Sequence, residues 1–105
     1  MKYGLPERTI AQICAVLAQY PVVDRAVLYG SRAKGNYKPG SDIDLTLYGP
    51  SLTPYLCATI AETLDDLLLP YTIDLSVFAE LKHPELEAHI QRVGVVFYER
   101  KDRVF

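Results

Sequence analysis

The 105-residue chain has no tryptophan, one methionine and only two cysteines, Cys14 and Cys57. Two cysteines in segments with helical spacing are too few for a disulfide-stapled scaffold, so we interpret both as small apolar residues of a core. No stretch approaches the ~18 consecutive apolar residues of a membrane-spanning helix, and no apolar run follows the first residues as in a signal peptide. These absences predict a cytoplasmic protein with no membrane partner.

Strong charge of either sign is also missing, since the formal net charge is −2. A dedicated duplex-DNA binder usually carries a strongly basic face, so we expect no direct nucleic-acid binding. Bound nucleotides remain compatible with this charge, because local donors and metal ions hold a triphosphate. Half of the residues are apolar, which is enough for a real core, and the length predicts a single domain over residues 1–105.

Hydrophobic spacing predicts the order helix, strand, short helix, strand, helix, strand, helix and strand. The predicted elements cover residues 6–20, 22–29, 32–35, 42–48, 53–69, 71–78, 85–93 and 95–98. The longest helix, 53–69, has an apolar side formed by Leu56, Ile60, Leu64, Leu67 and Leu68. This order predicts an α/β (α+β) fold in which helices back a mixed sheet of about four strands.

Two of the predicted strands alternate strictly between polar and apolar residues. In residues 42–47 the polar positions are Asp42, Asp44 and Thr46, and in residues 72–77 they are Thr72, Asp74 and Ser76. Because successive side chains of a strand point to opposite faces, each strand has one polar and one apolar face. If both apolar faces pack on the same helices, the three aspartates converge on the other side of the sheet.

Three converging carboxylates repel one another unless protons or cations neutralise them. A hard divalent cation with oxygen ligands solves this problem, and Mg²⁺ is the obvious candidate. An isolated Asp-x-Asp at the start of a strand is more often a solvated edge or a turn cap. The third aspartate, Asp74, on a second strand with the same alternation favours a metal site formed by Asp42, Asp44 and Asp74.

Gly30 and Ser31 follow the first strand directly and precede a short helical turn. Glycine lets the backbone approach a phosphate closely, and free amides with a serine hydroxyl form an anion site. Arg32 and Lys34 add positive charge. Taken alone, Ser31 is more often a simple helix cap. Its combination with Asp42 and Asp44 places phosphates beside divalent cations, as phosphoryl or nucleotidyl transfer requires.

These motifs resemble those of a known superfamily. The run from Gly30 to Gly35, followed by Ser41-Asp42-Ile43-Asp44-Leu45, is similar to the signature of DNA polymerase beta-like nucleotidyltransferases, and within them to the minimal nucleotidyltransferases, called MNT proteins. Ile73-Asp74-Leu75 resembles their third carboxylate strand, and residues 85–98 resemble their closing helix and strand. The resemblance covers nearly the whole chain.

The resemblance implies a nucleotidyltransferase fold and specific residue roles. Asp42 and Asp44 would bind two Mg²⁺ ions, Asp74 would complete the cluster, and Gly30 and Ser31 would hold the phosphates of ATP with help from Arg32. MNT proteins are typically antitoxins that pair with HEPN-domain ribonuclease toxins and are thought to silence them by transferring AMP from ATP to a tyrosine. The implied function is therefore a magnesium-dependent protein adenylyltransferase acting on a HEPN toxin.

Two other functions remain open from the sequence. The first alternative is an antitoxin that masks its toxin by binding alone. The second is an enzyme that adenylylates a small molecule. The second alternative is disfavoured because larger nucleotidyltransferases hold their acceptor with an additional domain, and this sequence predicts a single domain. A partner surface involving some of the eight tyrosines and the terminal Val104 and Phe105 is a further expectation. His83 and His89 are expected to lie in a loop and on a helix surface.

Overall fold

The computed structural model describes residues 1–101, in which four α-helices, four strands and one 3-10 turn follow one another. The first half comprises helix α1 Glu7–Ala18, strand β1 Arg25–Tyr29, helix α2 Ser31–Lys34 and strand β2 Ile43–Tyr48. The second half comprises helix α3 Pro54–Asp65, strand β3 Ile73–Val77, the 3-10 turn Phe78–Glu80, helix α4 Pro84–Val93 and strand β4 Val95–Glu99. The predicted order of helices and strands and the α/β class are confirmed. The predicted Val104 and Phe105 surface lies outside the described residues.

Helix α3 is shorter than predicted. It ends at Asp65, and Leu68 is 87% exposed with a backbone φ of 54°. The prediction that the helix reaches residue 69 and that Leu68 lies on its packing side is therefore wrong. Pro70 disfavours a helical backbone at the preceding residue, and the chain leaves the helix through tight turns before it reaches that proline. Their hydrogen bonds run from the Leu67 amide to the Leu64 carbonyl and from the Leu68 amide to the Asp65 carbonyl.

The strands form one mixed sheet in the order β3-β2-β1-β4. Strand β1 pairs antiparallel with both β2 and β4, whereas β2 and β3 run parallel. A short hairpin cannot join parallel neighbours, so α3 connects β2 to β3 as a crossover helix. Strand β3 forms one edge of the sheet, and β4 forms the other.

The apolar face of the sheet carries the main core. Leu28 from β1 and Ile43, Leu45 and Leu47 from β2 are fully buried on this face. They belong to one cluster with buried side chains of α1 and α3, including Ile13, Leu17, Ile60 and Leu64. The alternation seen in the sequence therefore sets which face of β2 and β3 contacts these helices. The half-buried Cys14 and Cys57 are free thiols packed against the same cluster.

Helix α4 packs on the opposite face. Its Ile90 forms a smaller cluster with Val27 and Tyr29 of β1. The Nδ1 atom of His83 accepts a hydrogen bond of 3.0 Å from the Leu86 amide and so caps the start of this helix. Helix α4 contacts β1 on this face, and the polar residues of β2 and β3 follow beside it. No helix of the described residues is long and apolar enough to cross a membrane.

Candidate active site

Asp44 and Asp74 occupy matched positions on neighbouring parallel strands. In the β2–β3 register, Asp44 is the Cα partner of Asp74, and Thr46 is the partner of Ser76. Side chains at matched positions of adjacent strands point to the same face, about 4.8 Å apart. The structure therefore confirms that the polar faces of the two strands share one side of the sheet.

The surroundings of Asp44 change the pKa of its carboxyl. Burial, followed by the negative charges of Asp74 and Asp42, raises the pKa of its carboxyl to about 6. Asp44 is half-buried, whereas Asp42 and Asp74 are exposed. A raised carboxyl pKa at a site where every contributing charge is negative marks an excess of negative charge that a bound cation would relieve.

The donor set fits a hard cation, although the described side chains do not form a finished metal cage. Within residues 1–101, no three carboxylate, imidazole or thiol groups converge tightly enough to hold a metal ion by themselves. Mg²⁺ in phosphoryl-transfer sites is typically held by one or two carboxylates together with phosphate oxygens and water. Asp42, Asp44 and Asp74 offer only oxygen ligands, so the arrangement suits a cation that arrives with a nucleotide.

Gly30 and Asp44 are packed against each other. Gly30 has a φ of 77°, a conformation that side chains other than glycine rarely adopt, and a β-carbon there would collide with Oδ2 of Asp44. Strand β1 thus turns sharply into α2 directly beside the carboxylate. Gly30 and Asp44 are therefore neighbours in the structure.

Ser31 is the first residue of α2, and Gly30 is the N-cap residue. No side-chain hydrogen bond caps this helix, so Ser31 does not act as the simple cap considered from the sequence. The Ser31 carbonyl accepts hydrogen bonds from the amides of Gly35 at 2.9 Å and Asn36 at 3.2 Å. The backbone of this residue closes the short helix, and its side chain is half-exposed.

The side chain of Arg32, predicted to help hold the phosphates, is buried. Its side chain is only 2% exposed, and its guanidinium donates to backbone carbonyls of Tyr3, Pro39 and Ser41. The reason is local: the side chain leaves α2 toward the loop before β2 rather than toward the aspartates. The guanidinium is therefore bound to main-chain oxygens, and its contact with phosphate stays a prediction.

Tyr29 lies near the site and was not singled out from the sequence. Tyr29 is the Cα partner of Asp44 on β1 and is 7% exposed. Burial raises the pKa of Tyr29, the charges of Asp74 and Asp44 raise it further, and a hydrogen bond with Ser76 opposes them. His89 of α4 meets the Tyr29 ring edge-on, with centroids 6.3 Å apart. Tyr29 lies on the same face of β1 as Val27, two residues earlier, and it directly precedes Gly30. This position at the end of the strand is the sequence signal that would have placed Tyr29 near the site.

A hydroxyl pair lies beneath the carboxylates on the same face. Oγ of Ser76 donates to Oγ1 of Thr46 at 2.9 Å, and Thr46 is fully buried. A buried hydroxyl without a partner would be costly, so this bond ties β2 to β3 two residue pairs beyond Asp44 and Asp74, at the next pair on the same face. The pair helps keep the parallel register that brings the two carboxylates together.

Comparison with known proteins identifies the family. A family model described as polymerase beta, nucleotidyltransferase matches residues 11–103. No curated protein sequence gives a significant match. Several solved structures share the fold at low sequence identity.

One similar structure is a toxin–antitoxin crystallised with AMP-PNP, with a TM-score of 0.69 and 20% identity over 92% of this chain and 76% of that chain. A second is a tri-AMPylated Shewanella oneidensis HEPN toxin in complex with MNT antitoxin, with a TM-score of 0.67 and 18% identity over 90% of this chain and 72% of that chain. The toxin–antitoxin MntA-HepT also gives a TM-score of 0.67 at 18% identity, over 90% and 74% of the two chains. These likenesses show a shared fold. Because the family model matches residues 11–103, nearly the whole sequence, the chain belongs to the polymerase beta nucleotidyltransferase family.

Proposed function

We propose that this chain is an MNT-type antitoxin that transfers AMP from ATP to a tyrosine of a HEPN-domain toxin. The observation that carries the proposal is the matched β2–β3 register, which sets Asp44 beside Asp74 next to the Gly30 turn. The similarity in fold to MNT antitoxins, one of them in complex with an AMPylated HEPN toxin, supports the choice of acceptor.

Asp42 and Asp44 are the proposed ligands of two Mg²⁺ ions, with Asp74 completing the set. When bound, Mg²⁺ supplies positive charge to the α-phosphate and to the departing pyrophosphate. The raised pKa of Asp44, about 6, supports this role because a bound cation favours the ionised carboxylate and releases its proton. Metal binding and loss of that proton are therefore coupled.

Gly30 and Ser31 are the proposed contacts for the nucleotide phosphates. The absence of a β-carbon at position 30 lets a phosphate come close to the backbone. The half-exposed Ser31 hydroxyl lies at the start of α2, where the first amides have no partner within the helix. This placement holds the phosphate chain between the Gly-Ser turn and the aspartates.

In the proposed reaction, the acceptor hydroxyl oxygen bonds to the α-phosphorus of ATP. The bond from that phosphorus to the α–β bridging oxygen breaks, and pyrophosphate leaves. Asp74 is the proposed acceptor of the hydroxyl proton, because its exposed carboxylate lies on the edge strand beside Asp44. The product is an AMP–tyrosine phosphodiester on the partner protein.

The proposal is tested by purifying the chain with its bound partner from the native host and measuring the intact mass of that partner. Incubation with ATP and Mg²⁺ is expected to add one or more adenylate masses, and omitting Mg²⁺ is expected to prevent the addition. A partner that is neutralised in cells by the wild type and equally by the Asp42→Asn/Asp44→Asn/Asp74→Asn variant, with no mass gain in either case, would instead support neutralisation by binding alone.

A further inference from the structure

The largest fully buried side chain of the described residues is a cation, Arg32. Its Nε and Nη2 atoms donate to the Ser41 carbonyl at 3.1 and 2.9 Å. Nη2 also donates to the Pro39 carbonyl at 3.2 Å, and Nη1 donates to the Tyr3 carbonyl at 2.9 Å. One guanidinium thus connects α2, the N-terminal segment and the loop that leads into β2.

Two tyrosine rings complete the surroundings of this guanidinium. Its central carbon lies 5.3 Å from the ring centroid of Tyr37 and 5.2 Å from that of Tyr71. Tyr71 directly precedes the residue whose carbonyl accepts a 2.9 Å hydrogen bond from the Ile43 amide, namely Thr72. The guanidinium therefore also contacts the segment that leads into the strand of Asp74.

A charge buried to this extent is costly unless its donors are satisfied. Here the carbonyl oxygens and the aromatic faces replace the lost water, and moving any one of them would leave donors unpaired in a low-dielectric site. The backbone of Pro39 and Ser41 is consequently held in one arrangement. Asp42 is the next residue along the chain.

We propose that Arg32 is a positioning residue, which acts by fixing the Ser41 backbone so that the Asp42 carboxylate is presented beside Asp44. This inference rests on the proposed nucleotidyltransfer function and assigns Arg32 no contact with the nucleotide. A residue that orients a metal ligand typically affects metal affinity by about 10- to 100-fold. Lysine cannot replace it, because a single ammonium lacks the planar fork that reaches Tyr3 and Ser41 together.

The test measures the dissociation constant of the Mn²⁺ complex of α,β-methylene-ATP, an analogue that cannot transfer AMP, by calorimetry. We expect Arg32→Lys to weaken binding about 10-fold or more although it keeps the positive charge. Arg8→Lys makes the same change on an exposed turn of α1 and is expected to leave binding unchanged. Circular dichroism establishes that each variant is folded.

A double-mutant cycle with Asp42→Asn separates positioning from direct phosphate contact. If Arg32 acts through Asp42, Arg32→Lys adds no further loss to Asp42→Asn. Additive losses, or unchanged binding in Arg32→Lys, would overturn the positioning role. If Arg32→Lys does not fold, Tyr37→Leu replaces it in the same cycle, since it opens one aromatic face of the guanidinium at a loop position.

The same titration distinguishes the two proposals. If the wild-type chain does not bind the Mn²⁺ complex at all, the proposed function fails, and the role of Arg32 fails with it. If the wild type binds and Asp42→Asn weakens binding while Arg32→Lys does not, only the role of Arg32 is overturned. Hydrogen exchange at the Ser41 amide of the metal-free protein gives an independent readout, and we expect it to be about 10-fold faster in Arg32→Lys.

Discussion

The Asp44 carboxylate fills the space that a side chain at position 30 would need. The tight turn after β1 and the central carboxylate of β2 are therefore one packed unit, although thirteen residues separate them along the chain. Gly30 permits this contact twice over, because it has no β-carbon and because its φ of 77° suits glycine.

Replacing Gly30 with alanine tests this packing. We expect Gly30→Ala to lower the free energy of unfolding by about 1–3 kcal/mol, from backbone strain and the collision with Asp44, and to abolish nucleotide binding. Gly40→Ala is the matched control, since a β-carbon there meets no atom within 4 Å. Urea denaturation and nucleotide titration of both variants check the prediction, and a stable, nucleotide-binding Gly30→Ala would contradict it.

The raised pKa of Asp44 predicts a pH-dependent stability of the metal-free protein. The folded chain holds the proton with a pKa of about 6, against an ordinary value of 3.8, so the folded state binds the proton more tightly. The stability that this group contributes is present below about pH 4 and is lost as the pH rises through 6. Asp44→Asn removes the cost of ionising this carboxyl in the folded state. We therefore expect the variant to melt a few degrees higher than the wild type at pH 7.5.

That difference in melting temperature is expected to shrink at pH 5 and to vanish near pH 3.5, in thermal scans with EDTA. Adding Mg²⁺ with α,β-methylene-ATP at pH 7.5 is expected to stabilise the wild type and to leave Asp44→Asn nearly unchanged. A constant difference between the two proteins from pH 3.5 to 7.5 would contradict the role of Asp44.

Asp74 and the pair Asp42 and Asp44 are expected to fail in different ways. Asp74→Asn removes the proposed proton acceptor and the third carboxylate of the metal site. We expect the rate of AMP transfer at saturating ATP to fall about 100- to 10,000-fold, while the analogue still binds, more weakly, through Asp42 and Asp44. Asp42→Asn/Asp44→Asn is expected to lose binding of the metal–nucleotide complex as well. Radiolabelled AMP transfer and calorimetry measure the two effects, and undiminished transfer in either variant refutes the assignment.

The hydroxyl pair beneath the site is expected to stabilise the β2–β3 register. Thr46→Val leaves Ser76 without this partner, and we expect it to lower the free energy of unfolding by about 1 kcal/mol. Ser76→Ala is expected to destabilise the wild type more than it destabilises Thr46→Val, since the bond is already lost in that background. Urea denaturation of the two single variants and the double variant measures this coupling, and additive effects would show that the bond contributes nothing.

The sequence predicted the strands and their faces well, because alternation is a local property. The alternation correctly predicted two half-polar strands, in residues 42–47 and 72–77. It also predicted a shared polar side, on the assumption that both apolar faces pack on the same helices. Alternation does not specify a partner strand or a register. The pairing of Asp44 with Asp74 therefore required the structure.

The contacts of Arg32 could not be predicted from the sequence for a different reason. An arginine that follows Gly-Ser is a residue type expected to contact phosphate. Its observed hydrogen-bond acceptors are instead main-chain oxygens of Tyr3, Pro39 and Ser41. Every residue has a main-chain oxygen, so the sequence does not reveal such acceptors. Leu68 was misassigned because hydrophobic spacing continues past Asp65, where α3 ends in tight turns before the chain reaches Pro70.

The position of β3 at the edge of the sheet affects how large an acceptor molecule the proposed reaction can accommodate. In the part of the chain that the structure describes, no further strand lies outside Asp74, and α4 packs over β1 on the other side of the carboxylates. In the proposed reaction, a bulky acceptor can therefore reach the exposed Asp74 from the edge of the sheet.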